Sequence, residues 1–301
     1  MAKKTGRHKR KHTLTAKERI MASEEWVSEG LDYCRDTGEW PEWEKRLLAH
    51  IKEGNTSEII EGVQYALEVL DSPWPDLEPP LLDWMCAGGQ VWADPEAVEA
   101  FVFYIEGTAE SETLANLILE KTLAEPAVLY ASRCMEDRWP EAEQMILDAD
   151  TPRSEAVLYG YHEESDLIQN QITVYARDLI GGRWPAFEEK VRRGECNPIT
   201  VASYTSEVIG CRWKVAEDFL LGQAQVSTAR TALVRYARDV IQGRWKKAEA
   251  ILCVSPLNML QYAKEVRKGK LPEALHQAMV MKSFEFPDDP DVQKYFAEFG
   301  R

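Results

Sequence analysis

One phrase recurs along the 301-residue chain and restricts the possible folds more than any other feature. It reads Tyr-Ala-Arg-Asp-Val-Ile-Gln-Gly-Arg-Trp-Lys-Lys-Ala-Glu over residues 236–249 and Tyr-Ala-Arg-Asp-Leu-Ile-Gly-Gly-Arg-Trp-Pro-Ala-Phe-Glu over residues 175–188. Further copies start at Tyr130, Tyr204 and Tyr262, and weaker copies start at Tyr65 and Tyr33. Self-similarity at a spacing of about 30 residues predicts repeated supersecondary units.

The first half of the phrase predicts a helix that ends at a glycine. In the copy at Tyr236, apolar residues recur at i, i+3, i+4, i+7 and i+8, namely Leu233, Tyr236, Ala237, Val240 and Ile241. This spacing is typical of one buried helix face. Gly243 is predicted to end the helix in the left-handed conformation, with Arg244 beside the negative end of the helix dipole.

The second half of the phrase predicts a turn and a second helix. Proline suits the first helical position, and three copies have it there: Pro140, Pro185 and Pro272. The tryptophans are predicted to pack structurally into the turns: Trp139, Trp184, Trp213 and Trp245. The basic residue before each tryptophan is predicted to cap the first helix and to pair with a glutamate: Arg138–Glu143, Arg183–Glu188, Arg212–Glu217 and Arg244–Glu249. As an alternative, these arginines and Lys270 form a ladder that binds phosphates or acidic peptides.

A single helix pair cannot bury its own apolar stripe, whereas stacked neighbours can. The predicted fold is therefore all-α: an α-solenoid of stacked helix-turn-helix repeats with a disordered or partner-ordered basic N-terminal arm. The predicted segments are the arm (1–19), divergent N-terminal repeats (20–70), an irregular joint with divergent helices (71–123), core repeats (124–283) and a C-terminal capping helix (284–301). An insertion around Tyr159–His162 lengthens one core repeat.

Charge is distributed unevenly along the chain. Residues 1–19 hold eight Lys/Arg and one Glu, whereas the remaining 282 residues hold 28 Lys/Arg and 50 Asp/Glu. The arm is predicted to bind the phosphates of RNA or DNA, or another polyanion, through Lys3, Lys4, Arg7, Lys9, Arg10 and Lys11. Docking on the acidic body or on an acidic protein, and a solvated tail, are the alternatives.

The sequence contains no constellation that indicates catalysis. The six cysteines and five histidines are dispersed, and no nucleophile elbow, phosphate-binding loop or dinucleotide fingerprint occurs. We therefore expect a protein that is not an enzyme, with no cofactor and no metal site. No apolar run approaches a membrane span and the N-terminus is not a secretory signal, so we expect a cytoplasmic protein without a membrane partner.

The turn signature resembles the loop of tetratricopeptide-like repeats, as in Gly243-Arg244-Trp245-Lys246-Lys247-Ala248. The fuller phrase, Tyr-Ala-x-x-Val-Ile-x-Gly-Arg-Trp-Pro-x-Ala-Glu, resembles a repeat of uncharacterised proteins of tailed bacteriophages and related viruses, chiefly over 130–275. That family has no catalytic motif to carry over. The resemblance implies a phage origin and a host-cell cytoplasmic location; a eukaryotic origin would make the nucleus possible.

Three functions are compatible with this sequence. The first is a non-catalytic scaffold whose acidic solenoid binds a host or viral protein and whose arm contacts a polyanion. The second is a protein of a ribosome, virion or other nucleic-acid assembly, anchored mainly by the arm. The third is an acidic decoy of a host nucleic-acid-binding protein, against which the basic arm argues.

Overall fold

The computed structural model describes residues 14–53, 57–85, 95–150 and 171–300. Its regular elements within these ranges are all helical, which confirms the all-α class. None of the helices in those ranges is long and apolar enough to cross a membrane. The chain folds as two compact units, Met1–Leu117 and Ile118–Arg301.

The first described helix of the first unit overlaps the predicted arm. Its helices are, in order, α1 (Ala16–Ile20), α2 (Trp26–Thr37), α3 (Pro41–Lys52), α4 (Ser57–Tyr65), α5 (Glu78–Met85), α6 (Pro95–Gly107) and α7 (Glu112–Glu120), the last of which ends just past the boundary. Thr15 caps α1 in a capping box with Glu18. Lys17 lies over the Trp40 ring, 4.8 Å from its centroid. The last residues of the predicted arm thus belong to α1 and its cap, whereas residues 1–13 lie outside the described residues, so a disordered or partner-ordered arm stays a prediction for them.

The helix pair α2–α3 has the shortened turn that the sequence predicts. Seven residues separate Tyr33 from Trp40, compared with nine between Tyr and Trp in the copy at Tyr65. The chain turns at Gly38, whose φ of 90° favours glycine. The Trp43 ring approaches the backbone of Gly30 so closely that only glycine fits there, because a Cβ atom at residue 30 would lie 1.9 Å from Nε1 of Trp43.

The segment that starts the predicted joint is a regular turn. Residues Ser72-Pro73-Trp74-Pro75 follow the π-helical turn Ala66–Leu70, as in the other copies, and Trp74 packs against Tyr65 with ring centroids 5.2 Å apart. Three helices, α5, α6 and α7, then occupy the described part of 71–123. The structure thus has a regular turn at the first of the predicted breaker segments, whereas Ala87-Gly88-Gly89 lies outside the described residues.

The second unit is a series of helix pairs. Its helices are α8 (Ala124–Tyr130), α9 (Pro140–Ala149), α10 (Gln171–Val174), α11 (Pro185–Arg193), α12 (Pro198–Tyr204), α13 (Lys214–Gly222), α14 (Ser227–Tyr236), α15 (Lys246–Leu252), α16 (Pro256–Gln261), α17 (Glu273–Glu285) and α18 (Pro290–Phe299). We call α8, α10, α12, α14 and α16 first helices, and α9, α11, α13, α15 and α17 second helices. First helices contact first helices in succession, and second helices do so from α11 to α17.

Each first helix of this unit ends in a wide π-helical turn. These turns span Ala131–Met135, Tyr175–Ile180, Thr205–Ile209, Ala237–Ile241 and Tyr262–Arg267. The carbonyl of Ala237 accepts hydrogen bonds from the N–H groups of Gln242 and Gly243. These two hydrogen bonds end the helix. The side chain of Ala237 is fully buried, so this position requires a small residue.

The left-handed residue of the turn is one position earlier than the sequence predicts. Gln242 has φ 54° and Gly210 has φ 69° at the equivalent position. Gly243, predicted to adopt this conformation, is not among the described residues with positive φ. Cys211, which replaces that glycine in the copy at Tyr204, therefore causes no strain in the turn.

The predicted C-terminal segment 284–301 contains helix α18. Asp289 caps it by accepting hydrogen bonds from the N–H groups of Asp291 and Val292. The helix contacts α16 and α17, and it buries Tyr295 completely.

Candidate functional site

The recurring phrase builds one polar arrangement at each turn between a first and a second helix. A tyrosine from the next helix pair reaches this turn, and its Oη accepts a hydrogen bond from the tryptophan backbone N–H. In the second unit these N···O distances are 2.7 Å for Trp139–Tyr175, 2.6 Å for Trp184–Tyr204, 3.0 Å for Trp213–Tyr236 and 2.9 Å for Trp245–Tyr262. We call these residues turn tryptophans and bridging tyrosines.

Three of the four bridging tyrosines also pack against the tryptophan of their own copy, whereas Tyr262 has Leu271 at that place. The ring centroids are 5.1 Å apart for Tyr175 and Trp184, and 5.1 Å apart for Tyr236 and Trp245. The phenol ring therefore packs against the turn of its own copy, whereas its hydroxyl group is hydrogen-bonded to the turn of the preceding copy. Because the rings are buried, each tyrosine contributes both apolar packing and a hydrogen bond to the joined pairs.

In three of the four turns, the glutamate four residues after the turn tryptophan accepts a hydrogen bond from the bridging tyrosine; at Trp213 the Tyr236 hydroxyl lies 3.5 Å from the Trp213 carbonyl oxygen instead. The Tyr262 hydroxyl donates to Oε1 of Glu249 over 3.1 Å, and Tyr175 donates to Glu143 over 3.2 Å. Arg244 donates two further hydrogen bonds to Glu249, from Nε over 2.9 Å and from Nη2 over 2.8 Å. The four predicted Arg–Glu pairs are all present: Arg138–Glu143, Arg183–Glu188, Arg212–Glu217 and Arg244–Glu249.

Burial and pairing determine the protonation of this arrangement. Burial raises the pKa of Tyr204 and of Tyr262 to about 12, so both hydroxyl groups stay protonated donors. Hydrogen bonds from Arg244 lower the pKa of Glu249. The glutamate is thus an ionised acceptor and the tyrosine a neutral donor, so the turn has no group poised for proton transfer at neutral pH.

The last copy replaces both the tryptophan and the glutamate. The Leu271 N–H donates to Oη of Tyr295 over 3.4 Å, and Nδ1 of His276 lies 2.8 Å from the same oxygen. The side chain of Leu271 is buried like the tryptophans it replaces. A bridging tyrosine is therefore retained at the end of the chain, although residues 284–301 contain no copy of the phrase.

The turn at Trp74 in the first unit has no arginine. Trp74 donates its N–H to Oη of Tyr104 over 2.7 Å, and Tyr104 donates to Oε1 of Glu78 over 3.0 Å. Pro73 stands where the copies of the second unit have arginine or lysine. Glu78 is completely buried, its Oε2 has no hydrogen-bond partner, and burial raises its pKa.

Exposed ion pairs also join successive π-helical turns, and the last of these turns to α18. In each pair the basic residue lies two positions after one tyrosine, and the glutamate lies three positions after the next tyrosine. The pairs are Arg177–Glu207, Arg238–Glu265 and Lys264–Glu298, with N···O distances of 2.6, 2.7 and 2.7 Å. Both members of each pair are a third to a half exposed. Such solvated pairs contribute little stability, about 0–1 kcal/mol each, but they fix the register of adjacent helices.

A buried polar cluster lies at the C-terminal end of α9. Asp150 accepts hydrogen bonds from the Asn197 N–H over 3.1 Å and from Oγ1 of Thr200 over 2.7 Å. Nζ of the buried Lys190 donates to the backbone carbonyls of Leu147 and Asp150. These bonds hold the end of α9 against the start of α12, which is a structural use of the lysine and the carboxylate.

The two buried cysteines of the described ranges lack the environment of a nucleophile. Burial raises the pKa of the Cys196 thiol, and burial raises that of Cys34 to about 11. Both groups are therefore thiols at neutral pH. Over the described ranges, no three His, Cys, Asp or Glu side chains come together as a metal site requires.

The predicted binding residues of the arm lie outside the described residues: Lys3, Lys4, Arg7, Lys9, Arg10 and Lys11. The insertion around Tyr159–His162 also lies outside them. The four predicted turn tryptophans are placed at the N-terminal ends of second helices, with 3–9 % of their surface exposed: Trp139, Trp184, Trp213 and Trp245.

Sequence reasoning missed the bridging role of the tyrosines, and two of them altogether. Tyr104 and Tyr295 are not followed by alanine, so they do not match the phrase. Their only sequence signal is a tyrosine 30 residues after Trp74 and 24 residues after Leu271. Comparisons of the chain with protein-family models, with curated proteins and with solved structures find no match.

Proposed function

We propose that the chain is a non-catalytic scaffold that binds a basic protein partner. In this proposal the helix pairs of residues 124–283 stack as an α-solenoid. The observation that carries it is the bridge from each tyrosine hydroxyl group to the turn of the preceding helix pair. The polar groups of the phrase are occupied with one another, which supports a framework role rather than a catalytic one.

The charge of the first unit supports a basic partner. Residues 20–117 hold 22 Asp/Glu and 4 Lys/Arg, whereas residues 118–301 hold 28 Asp/Glu and 24 Lys/Arg. Exposed carboxylates such as Glu24, Glu29 and Asp36 are on or beside α2. A field of one sign attracts an oppositely charged partner and accelerates its association.

The binding test uses a fluorescent lysine-rich peptide as the probe and anisotropy as the measurement. We expect binding that weakens steeply with salt, and about tenfold weaker binding by the double variant Glu24→Lys/Glu29→Lys. The matched control is Glu273→Lys/Asp288→Lys, which makes the same charge change in the second unit. Equal loss of affinity in both variants, or no binding at physiological salt, would contradict the proposed surface.

Nucleic-acid binding by the arm is the second candidate, because residues 1–19 hold eight Lys/Arg. The test compares the full chain with a variant that lacks residues 1–13, which retains Thr15 and therefore α1. We expect RNA and duplex DNA to bind the full chain with a strong salt dependence and the shortened chain far more weakly. Equal affinities of the two chains would exclude the arm as the binding element.

A further inference from the structure

Exposed large apolar side chains are concentrated near the end of the second unit. Five of the seven in the described ranges lie between residues 254 and 286. Met281 is 59 % exposed and Phe284 is 78 % exposed. Contiguous exposed apolar residues mark interaction surfaces on soluble proteins.

Helix α17 is apolar on two sides. Leu275 and Met279 are buried on its inner side. Its outer side carries Ala274, Ala278, Met281 and Phe284, at positions i, i+4, i+7 and i+10. All four are exposed except Ala278, which is half-buried. We call these four residues the outer stripe; their spacing is that of a helix face that packs against another helix.

Helix α17 has fewer second-helix neighbours than α13 and α15. Helix α13 packs against α11 and α15, and α15 packs against α13 and α17, whereas α17 packs mainly against α15 among the second helices described. The following helix, α18, packs against α16 and α17 and carries a bridging tyrosine, so it occupies the place of a first helix. The described residues contain no second helix beyond α17.

We propose that the outer stripe docks against the outer stripe of a second copy of this chain, with the two α17 helices antiparallel. The side chains of the outer stripe are small in its N-terminal half, at Ala274 and Ala278, and large in its C-terminal half, at Met281 and Phe284. An antiparallel two-fold arrangement sets each large residue over a small one, whereas a parallel arrangement opposes large residues to each other.

The charges around the stripe are compatible with this pairing. No charged residue interrupts the stripe, and Lys282 is already engaged by Glu285 at 2.8 Å. A contact between two single helices buries less than the roughly 1,200 Å² of stable interfaces. Self-association through this surface is therefore weak and reversible.

Sedimentation velocity of the full chain over a wide micromolar range tests the surface. We expect a concentration-dependent monomer–dimer equilibrium, weakened about tenfold or more by Met281→Glu. The matched control is Phe103→Glu, because Phe103 is an exposed apolar residue of the first unit, 54 % exposed. A wild-type chain that stays monomeric, or dimers that persist in Met281→Glu, would overturn the proposal and leave a helix of another protein as the occupant.

A charge-complementation experiment tests the antiparallel geometry. Ala274→Glu and Phe284→Lys are both at exposed positions, and circular dichroism verifies that each variant is folded. Each variant alone should be monomeric, because a charge then faces an apolar surface in the dimer. An equimolar mixture should form dimers, because residue 274 of one copy faces residue 284 of the other and the opposite charges meet there. Failure of the mixture to associate would rule out this arrangement.

Discussion

The hydroxyl oxygen of Tyr204 lies 2.6 Å from the backbone nitrogen of Trp184, 20 residues earlier in the chain. The bond joins two consecutive helix pairs through a buried main-chain donor. A buried N–H without an acceptor is costly, so the tyrosine hydroxyl group is required by the turn of its neighbour rather than by its own helix.

Removal of that hydroxyl group should destabilise the protein. We expect Tyr204→Phe to lower the free energy of unfolding by about 1–3 kcal/mol, because it leaves the Trp184 N–H buried and unpaired. Urea unfolding followed by circular dichroism measures the change. The control is Tyr33→Phe, which removes a hydroxyl group at a half-exposed position. Equal losses in the two variants would show that the bridge contributes nothing specific.

Two glycines of similar appearance in sequence should respond differently to alanine. We expect Gly210→Ala to cost about 1 kcal/mol or more, because its φ of 69° is unfavourable for a residue with a Cβ atom. Gly243→Ala should change stability by less than about 0.5 kcal/mol. A Cβ atom meets no other atom within 4 Å at either position, so backbone conformation alone separates the two variants. Thermal unfolding in which both variants lose the same stability would refute the assignment of the left-handed residue.

The turn glutamates should show opposite pH dependence according to whether an arginine is present. Burial raises the pKa of Glu78, so its contribution to stability is complete below the ordinary carboxyl pKa and is lost as pH rises through the raised value. Arg244 lowers the pKa of Glu249, so its contribution is complete above the ordinary pKa and is lost as pH falls through the lowered value.

Glutamine variants at both positions test this difference by thermal unfolding at acidic and mildly alkaline pH. Glu78→Gln should stabilise the protein relative to wild type at alkaline pH, with the gain vanishing in acid. Glu249→Gln should destabilise it at neutral and alkaline pH by about 1 kcal/mol, discounted for the exposed side of Arg244, and little in acid. The same pH profile in both variants would disprove the role of the arginine.

The buried lysine of the second unit should be indispensable to its stability. We expect Lys190→Met to cost about 3 kcal/mol, because two buried carbonyls lose their donor and the Asp150 carboxyl group loses a neighbouring cation. The comparison is Lys247→Met, an exposed lysine of α15, for which we expect less than about 0.5 kcal/mol. Similar denaturation midpoints of the two variants would contradict this account.

The sequence predicts what is local within each copy. Helical spacing, the proline at the first position of α9 and α11, and the basic–acidic spacing yield the helix pairs and the four Arg–Glu pairs. The position of the left-handed residue depends on the wide π-helical turn, which moves the helix end one residue relative to an ordinary cap. Apolar periodicity does not distinguish these two endings, so the sequence pattern favours Gly243 where the structure has Gln242.

The contacts between copies depend on three-dimensional position. Residues 17 to 36 apart form the bridges of the second unit, and neither Tyr104 nor Tyr295 has the flanking residues of the phrase. The prolines that flank Trp74 indicate a joint in the sequence, although Pro75 occupies the same place as Pro140. Recognition of these residues requires knowledge of which helix ends meet.

The bridges divide the chain into stretches of fixed and of variable length. Nine residues lead from Tyr175, Tyr204 and Tyr236 to the tryptophan of the same copy, whereas 17 to 36 residues lead from a turn tryptophan to the next bridging tyrosine. The connections that follow second helices can therefore gain or lose residues without disturbing either end of a bridge. The short link of residues 223–226 between α13 and α14 is consequently a suitable graft point for a foreign domain, while an insertion of one residue between Tyr204 and Trp213 would uncouple two helix pairs.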